Sequence, residues 1–125
     1  MLHHIASIFI FLAGLVNFLP ILAITSADRI ARAYGITLSD PNTEILLRHR
    51  ALLFGLLGGF MMFAAFRAQL HTYAIMAGFV SMVGFILIAQ MTGEYNEQIG
   101  NIVRADYIAL GLLGAALLCK LAIKP

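Results

Sequence analysis

Four stretches of this chain are apolar for about the length a helix needs to cross a bilayer core, roughly 20 residues. The expected spans are about 5–24, 43–66, 70–91 and 102–123. The first is interrupted only by Ser7, Asn17 and Pro20. The second is free of charge only from Ala51 to Phe66, so a full crossing draws Arg48, His49 and Arg50 into the span. The fourth carries Arg104 and Asp106 near its start and Lys120 near its end. Composition agrees. Of 125 residues, 62% are hydrophobic and 11% charged, against about 25% charged in soluble domains. A water-soluble domain of this size could not hide so much apolar surface. A soluble enzyme, a DNA-binding module and a disordered tail are thereby excluded, and a net charge of +2 is too small to argue for nucleic acid. The expected fold is an all-α integral membrane domain over 1–125, a bundle of four transmembrane helices.

A short amphipathic helix is expected between spans one and two, over about 27–34. Ser26 suits its N-cap, Asp28 its first turn and Gly35 its C-cap. Ile30, Ala33 and Tyr34 share one face, with Arg29 and Arg32 elsewhere, facing lipid headgroups. Asp40-Pro41 then restarts helix, with Asp40 as N-cap and Pro41 in the first turn. A brief turn at about 67–69 joins spans two and three, and a longer polar loop, Thr92 to Asn101, joins spans three and four. The first span is read as a retained helix rather than a secretory signal, since no Lys or Arg precedes it and no A-x-A site follows.

Four spans bring both termini to one side. That side holds Arg67, Lys120 and Lys124 and no acid, whereas the other holds Arg29, Arg32, Arg48, Arg50 and Arg104 with all six acids. Arg48, Arg50 and Arg104 lie in spans rather than loops, so the positive-inside rule tips towards cytoplasmic termini.

Ionisable groups within spans are costly and are functional candidates by default. Here they converge at one end. Span two offers Glu44, Arg48, His49 and Arg50; span three ends in Gln90, Glu94 and Tyr95; span four opens with Asn101, Arg104 and Asp106; Asn17 lies deepest in span one. Glu44 and Arg48 are spaced to pair along one helix. Arg48 continues the line Ala51, Gly55 and Gly59, a G-x-x-x-G expected to seat another helix. Arg104 continues the small-residue line Ile108, Gly111 and Ala115, and Asp106 lies about 200° from it, with Arg50 or His49 as its expected partner. Asn17 extends the inward stripe of Ala6 and Ala13. The alternatives are bland ones: an interfacial salt bridge at Glu44–Arg48, a buried staple at Asp106, and Tyr34, Tyr95 and Tyr107 as interface anchors where Trp is absent. His3, His4 and His71 read as interfacial, and Cys119 as inert.

No P-loop, G-x-G-x-x-G, H-E-x-x-H or C-x-x-C occurs, so no cofactor and no metal are expected. The candidate ligand-binding set is Asn17, Arg48, His49, Arg50, Gln90, Glu94, Tyr95, Arg104 and Asp106; the candidate packing set is Gly55, Gly59, Gly111 and Ala115.

The stretch Leu46 to Gly59, with Asn17-x-x-Pro20, Tyr34-Gly35, Tyr95-Asn96 and Asp106, resembles a family of small four-helix inner-membrane proteins of bacteria. The resemblance implies an inner-membrane protein with a role in the cell envelope, one member being linked to envelope integrity and drug tolerance, and raises Arg48, His49, Arg50 and Asp106. Members of that family are often labelled phosphopantetheine adenylyltransferase. That activity needs a soluble nucleotide-binding fold and an H-x-G-H, and this chain has neither.

The function expected is binding of a lipophilic or amphipathic small molecule, or a lipid, in a polar-mouthed pocket between the helices. The expected partners are membrane lipid, that small molecule and a second copy of the chain in a homodimer or higher oligomer. The competing readings are a membrane enzyme with His49 as acid or base, a structural subunit without ligand, and a small proton-coupled exporter. The last is weakened by the absence of an acid in span one.

Overall fold

The computed structural model describes residues 1–123; Lys124, counted above with the terminal charges, lies outside them. Helix α1 (Leu2–Phe18) passes into a 3₁₀ segment (Leu19–Ala23), then come α2 (Ala27–Tyr34), α3 (Pro41–Ala64), a 3₁₀ turn (Ala68–Leu70), α4 (His71–Thr92) and α5 (Glu97–Ala122). Four helical stretches, Leu2–Ala23, Pro41–Ala64, Ala68–Thr92 and Glu97–Ala122, are long and apolar enough to cross a membrane. This is a multi-pass membrane bundle.

Local chemistry accounts for the boundaries. Pro20 has no N–H to give and its ring crowds the carbonyl four residues back, so the α-helical ladder of α1 stops at Phe18 and the chain tightens to 3₁₀ with proline in its first turn. The α2 caps are those the residue types favour. Ser26 Oγ accepts from the Arg29 amide at 3.4 Å, and Gly35 closes the helix at φ +63°, where only glycine sits without strain. Asp40 accepts from the Asn42 amide at 3.0 Å, with Pro41 in the first turn. The polar loop before span four is shorter than expected. Asn96 accepts from the Ile99 amide at 2.8 Å and starts α5 at Glu97, five residues ahead of the expected span.

In the bundle α1 lies against both α3 and α5, and α4 packs chiefly on α5. The inward stripe of α1 is Ala6, Ile10, Ala13, Gly14 and Asn17. Met61, Met82 and Leu113 fill the centre and are fully buried. Helices α1 and α3 approach closely at Gly14 and Gly58. A Cβ on Gly58 would fall 2.5 Å from both the Gly14 carbonyl oxygen and the Phe18 nitrogen.

That crossing corrects the expected packing set. Gly58 rather than Gly59 seats the neighbouring helix, and a Cβ at Gly59 would come no nearer than 4.0 Å to Phe18. Gly55 is covered by the Ile21 side chain of the same chain. On α5 the inward face is Val103, Asp106, Ala109, Leu113 and Ala116, one helical face along. Arg104, Ile108 and Gly111 therefore point outward, with nothing within 4 Å of a Cβ at Gly111, and Ala115 is half-buried. Packing of α5 against α1 selects this face, which also turns Asp106 inward. His71, expected at the interface, is buried, and its Nε2 lies 3.2 Å from the Ala65 carbonyl oxygen and 3.5 Å from Ser7 Oγ.

Candidate binding cavity

A cavity of about 430 Å³ lies at the end of the bundle where α1 gives way to its 3₁₀ segment. Its walls come from four places: Val16 to Ala23, the inner face of α2, Arg50, Ala51 and Phe54 of α3, and Ile102, Ala105 and Asp106 of α5. Helix register brings Arg50 and Asp106 to one depth. Arg50 follows the start of α3 at Pro41 by the same nine positions that separate Asp106 from the start of α5 at Glu97, about 13 Å along the axis in each case. Leu19 and Leu22 line the cavity and remain exposed, so its rim reaches the lipid-facing surface.

Arg50 does not pair with Asp106. Its Nη1 donates to the Tyr34 hydroxyl at 2.7 Å, and its guanidinium carbon lies 4.5 Å from the Phe54 ring centre, 4.9 Å from Phe85 and 5.3 Å from Tyr34. A weakly hydrated planar cation among three rings is held by quadrupole attraction in a low-dielectric setting. His49, the other expected partner of Asp106, is exposed and outside the cavity.

Asp106 is 7% exposed and has no hydrogen bond or ion pair among the described residues. Asn17 is 4% exposed, and its amide makes a single contact, from Nδ2 to the Met61 sulfur at 3.8 Å, a weak acceptor. Among the described residues no buried side-chain nitrogen or oxygen is both sealed from solvent and without a partner. The Asp106 carboxylate oxygens and Asn17 Oδ1, which have no protein partner, therefore open onto the cavity these residues line.

The remaining expected site residues separate from this pair. Arg48 is tied up beside the cavity: its Nε donates to the Ile24 carbonyl at 2.7 Å and its Nη1 to Glu44 Oε1 at 3.2 Å. It holds the end of the 3₁₀ segment and does not enter a helix seam. Gln90, Glu94, Tyr95 and Arg104 are exposed and do not line the cavity, and Arg104 binds Asn101 on its own helix. Of the expected set, Asn17, Arg50 and Asp106 meet at the cavity.

Sequence reasoning missed three contributors. Tyr34, read as an interface anchor, is buried and holds Arg50. Phe54 and Phe85 were indistinguishable from other apolar span residues, although Phe54 sits four positions after Arg50 on the same helix face. Among the described residues no cluster of three His, Cys, Asp or Glu side chains is placed to hold a metal.

Compared with known protein families, curated proteins and solved structures, the chain matches none.

Proposed function

We propose that this membrane protein binds a lipophilic or amphipathic small molecule, or a lipid, in the cavity between α1, α2, α3 and α5. One observation carries the reading: Asn17 and Asp106, each more than nine-tenths buried, present polar atoms with little or no protein partner to a largely apolar cavity. Leaving a carboxylate and an amide so placed costs free energy unless water or a ligand supplies hydrogen bonds. Apolar walls with a few convergent polar groups are the usual make-up of a small-molecule site. The resemblance carried by Leu46 to Gly59 supports a setting in the bacterial inner membrane and a role in envelope integrity and tolerance of lipophilic compounds. The charge distribution favours cytoplasmic termini, which a membrane-impermeant maleimide tests at Glu97→Cys in a Cys119→Ser background: labelling from outside is expected, and protection reverses the orientation. A homo-oligomer now rests on the outward small residues Gly111 and Gly114 of α5, since Gly55 and Gly58 are used within the chain.

The test is native mass spectrometry of the purified protein beside Ala105→Phe. Ala105 lines the cavity and is half-buried, so phenylalanine there fills space without entering the Gly14–Gly58 crossing. A discrete molecule is expected to accompany the wild-type protein and to be lost from Ala105→Phe at unchanged thermal stability. Bulk lipid alone, in equal amount on both, would overturn the reading.

A further inference from the structure

We infer that the polar head of the bound molecule is an uncharged hydrogen-bond donor, a hydroxyl on a lipophilic body. This rests on the binding reading above and names the class of ligand for that site. The argument starts from which groups in the cavity remain available. Arg50 gives one donor to the Tyr34 hydroxyl and lies against three rings, and Arg29 donates to the Leu22 carbonyl at 3.3 Å. Asp106 is committed to nothing among the described residues. A carboxylate there only accepts and a protonated carboxyl donates, and a hydroxyl is the head that can answer both.

Charge then separates the donors. The ionisable side chains lining the cavity are two arginines, one aspartate and Tyr34, so an ammonium head meets one carboxylate and the Arg50 cation in an apolar setting, with the exposed Arg29 at the rim. Like charges interact strongly there. A carboxylate or phosphate head would have only the Arg50 donors not given to Tyr34 and would lie beside the Asp106 carboxylate, which repels it. A hydroxyl avoids both penalties. It donates to the Asp106 carboxylate in a charge-assisted bond, and its oxygen is free to accept from the Asn17 amide, whose present acceptor is a thioether. The apolar length of the molecule runs past Val16, Pro20 and Phe54 towards the exposed Leu19 and Leu22. Alcohols, phenols and neutral glycerolipids share this chemistry.

Three photoactivatable dodecyl probes, identical except for an alcohol, an ammonium or a carboxylate head, test the inference on the full chain in phosphatidylcholine nanodiscs. Crosslinks are mapped by mass spectrometry with unlabelled dodecanol as competitor. The alcohol is expected to label residues 16–23 and 102–106 saturably, and about tenfold more than either charged probe, the weight of one good hydrogen bond to a charged group. Asp106→Leu is expected to cut alcohol labelling about tenfold, and Asp106→Asn, which keeps an acceptor of the same shape, to cut it less. Stronger labelling by the ammonium or carboxylate probe overturns the hydroxyl inference and leaves the cavity reading standing. Undiminished alcohol labelling of a folded Asp106→Leu protein overturns it as well. Absence of saturable labelling by all three overturns the cavity reading itself. The ranking of heads on the wild-type protein does not depend on any variant folding.

Discussion

Asn96 donates from Nδ2 to the main-chain carbonyl of Tyr34 at 2.7 Å, while its Oδ1 caps α5 at the Ile99 amide. The same amide nitrogen reaches the Gly35 carbonyl at 3.0 Å. One side chain thus starts the last membrane helix and holds the end of α2, the helix whose Ile30, Ala33 and Tyr34 wall the cavity. The two roles use different atoms and can be separated. Asn96→Asp retains an oxygen for the Ile99 amide but sets a carboxylate against two carbonyls. Hydrogen exchange followed by mass spectrometry is expected to show faster exchange over residues 29–36 in Asn96→Asp with the amides at 99–101 unchanged. Asn96→Ala is expected to loosen both, with a cap loss of about 1 kcal/mol.

The crossing of α1 and α3 sets how close those helices come. Gly58→Ala puts a methyl group 2.5 Å from backbone atoms of α1, and backbone cannot turn aside as a side chain can. The helices must part, at a cost of about 1–3 kcal/mol. Gly84→Ala is the control: nothing lies within 4 Å of its Cβ. Unfolding in detergent is expected to show Gly58→Ala clearly destabilised and Gly84→Ala level with the wild type.

These two sites also mark what the sequence alone could convey. Apolar length reveals four spans, and Ser26, Gly35 and Asp40-Pro41 reveal α2 and the start of α3, because caps act over three or four residues. Asn17 reads as inward from its stripe with Ala6 and Ala13. The inward face of α5 does not read so directly, since Arg104 with Gly111 and Asp106 with Ala109 and Ala116 offer rival faces, and only packing against α1 selects the second. For the same reason the glycine that meets α1 is Gly58 and not Gly59. The partner of Arg50 was hidden by a longer-range effect. Opposite charge suggested Asp106, but Tyr34 reaches Arg50 only through the fold of the segment between α1 and α3, and Phe85 only through the placement of α4.

The aromatic seat of Arg50 has a measurable coupling. Tyr34→Phe removes the hydroxyl that accepts from Arg50 Nη1 at 2.7 Å and keeps the ring. Arg50→Leu removes every interaction of the guanidinium at once. In a double-mutant cycle the coupling between the two is expected to be about 1 kcal/mol, the net weight of one hydrogen bond with both partners in place. Arg50→Lys is expected to behave more like the leucine variant than like wild type, because an ammonium cannot lie flat among three rings. Additive unfolding energies for Tyr34→Phe and Arg50→Leu would show that the hydroxyl contact contributes nothing.

At the opposite end of the bundle His71 joins the turn between α3 and α4 to α1. Its ring nitrogen Nε2 lies 3.2 Å from the Ala65 carbonyl oxygen and 3.5 Å from Ser7 Oγ, and the residue is 3% exposed. A carbonyl oxygen can only accept, so the Nε2 proton belongs to Ala65. Ser7 Oγ already donates to the His3 carbonyl at 2.9 Å. The two residues therefore should not be equally costly to remove. His71→Ala strips a buried carbonyl of this donor and leaves a void, a loss of about 1–3 kcal/mol from the unmet carbonyl alone. Ser7→Ala surrenders one long contact and a hydrogen bond within α1, and its loss is expected to stay under about 1 kcal/mol. Thermal unfolding of the two variants in the same detergent checks the order. A Ser7→Ala effect as large as that of His71→Ala would mean that the serine, and not the Ala65 carbonyl, is the group His71 serves.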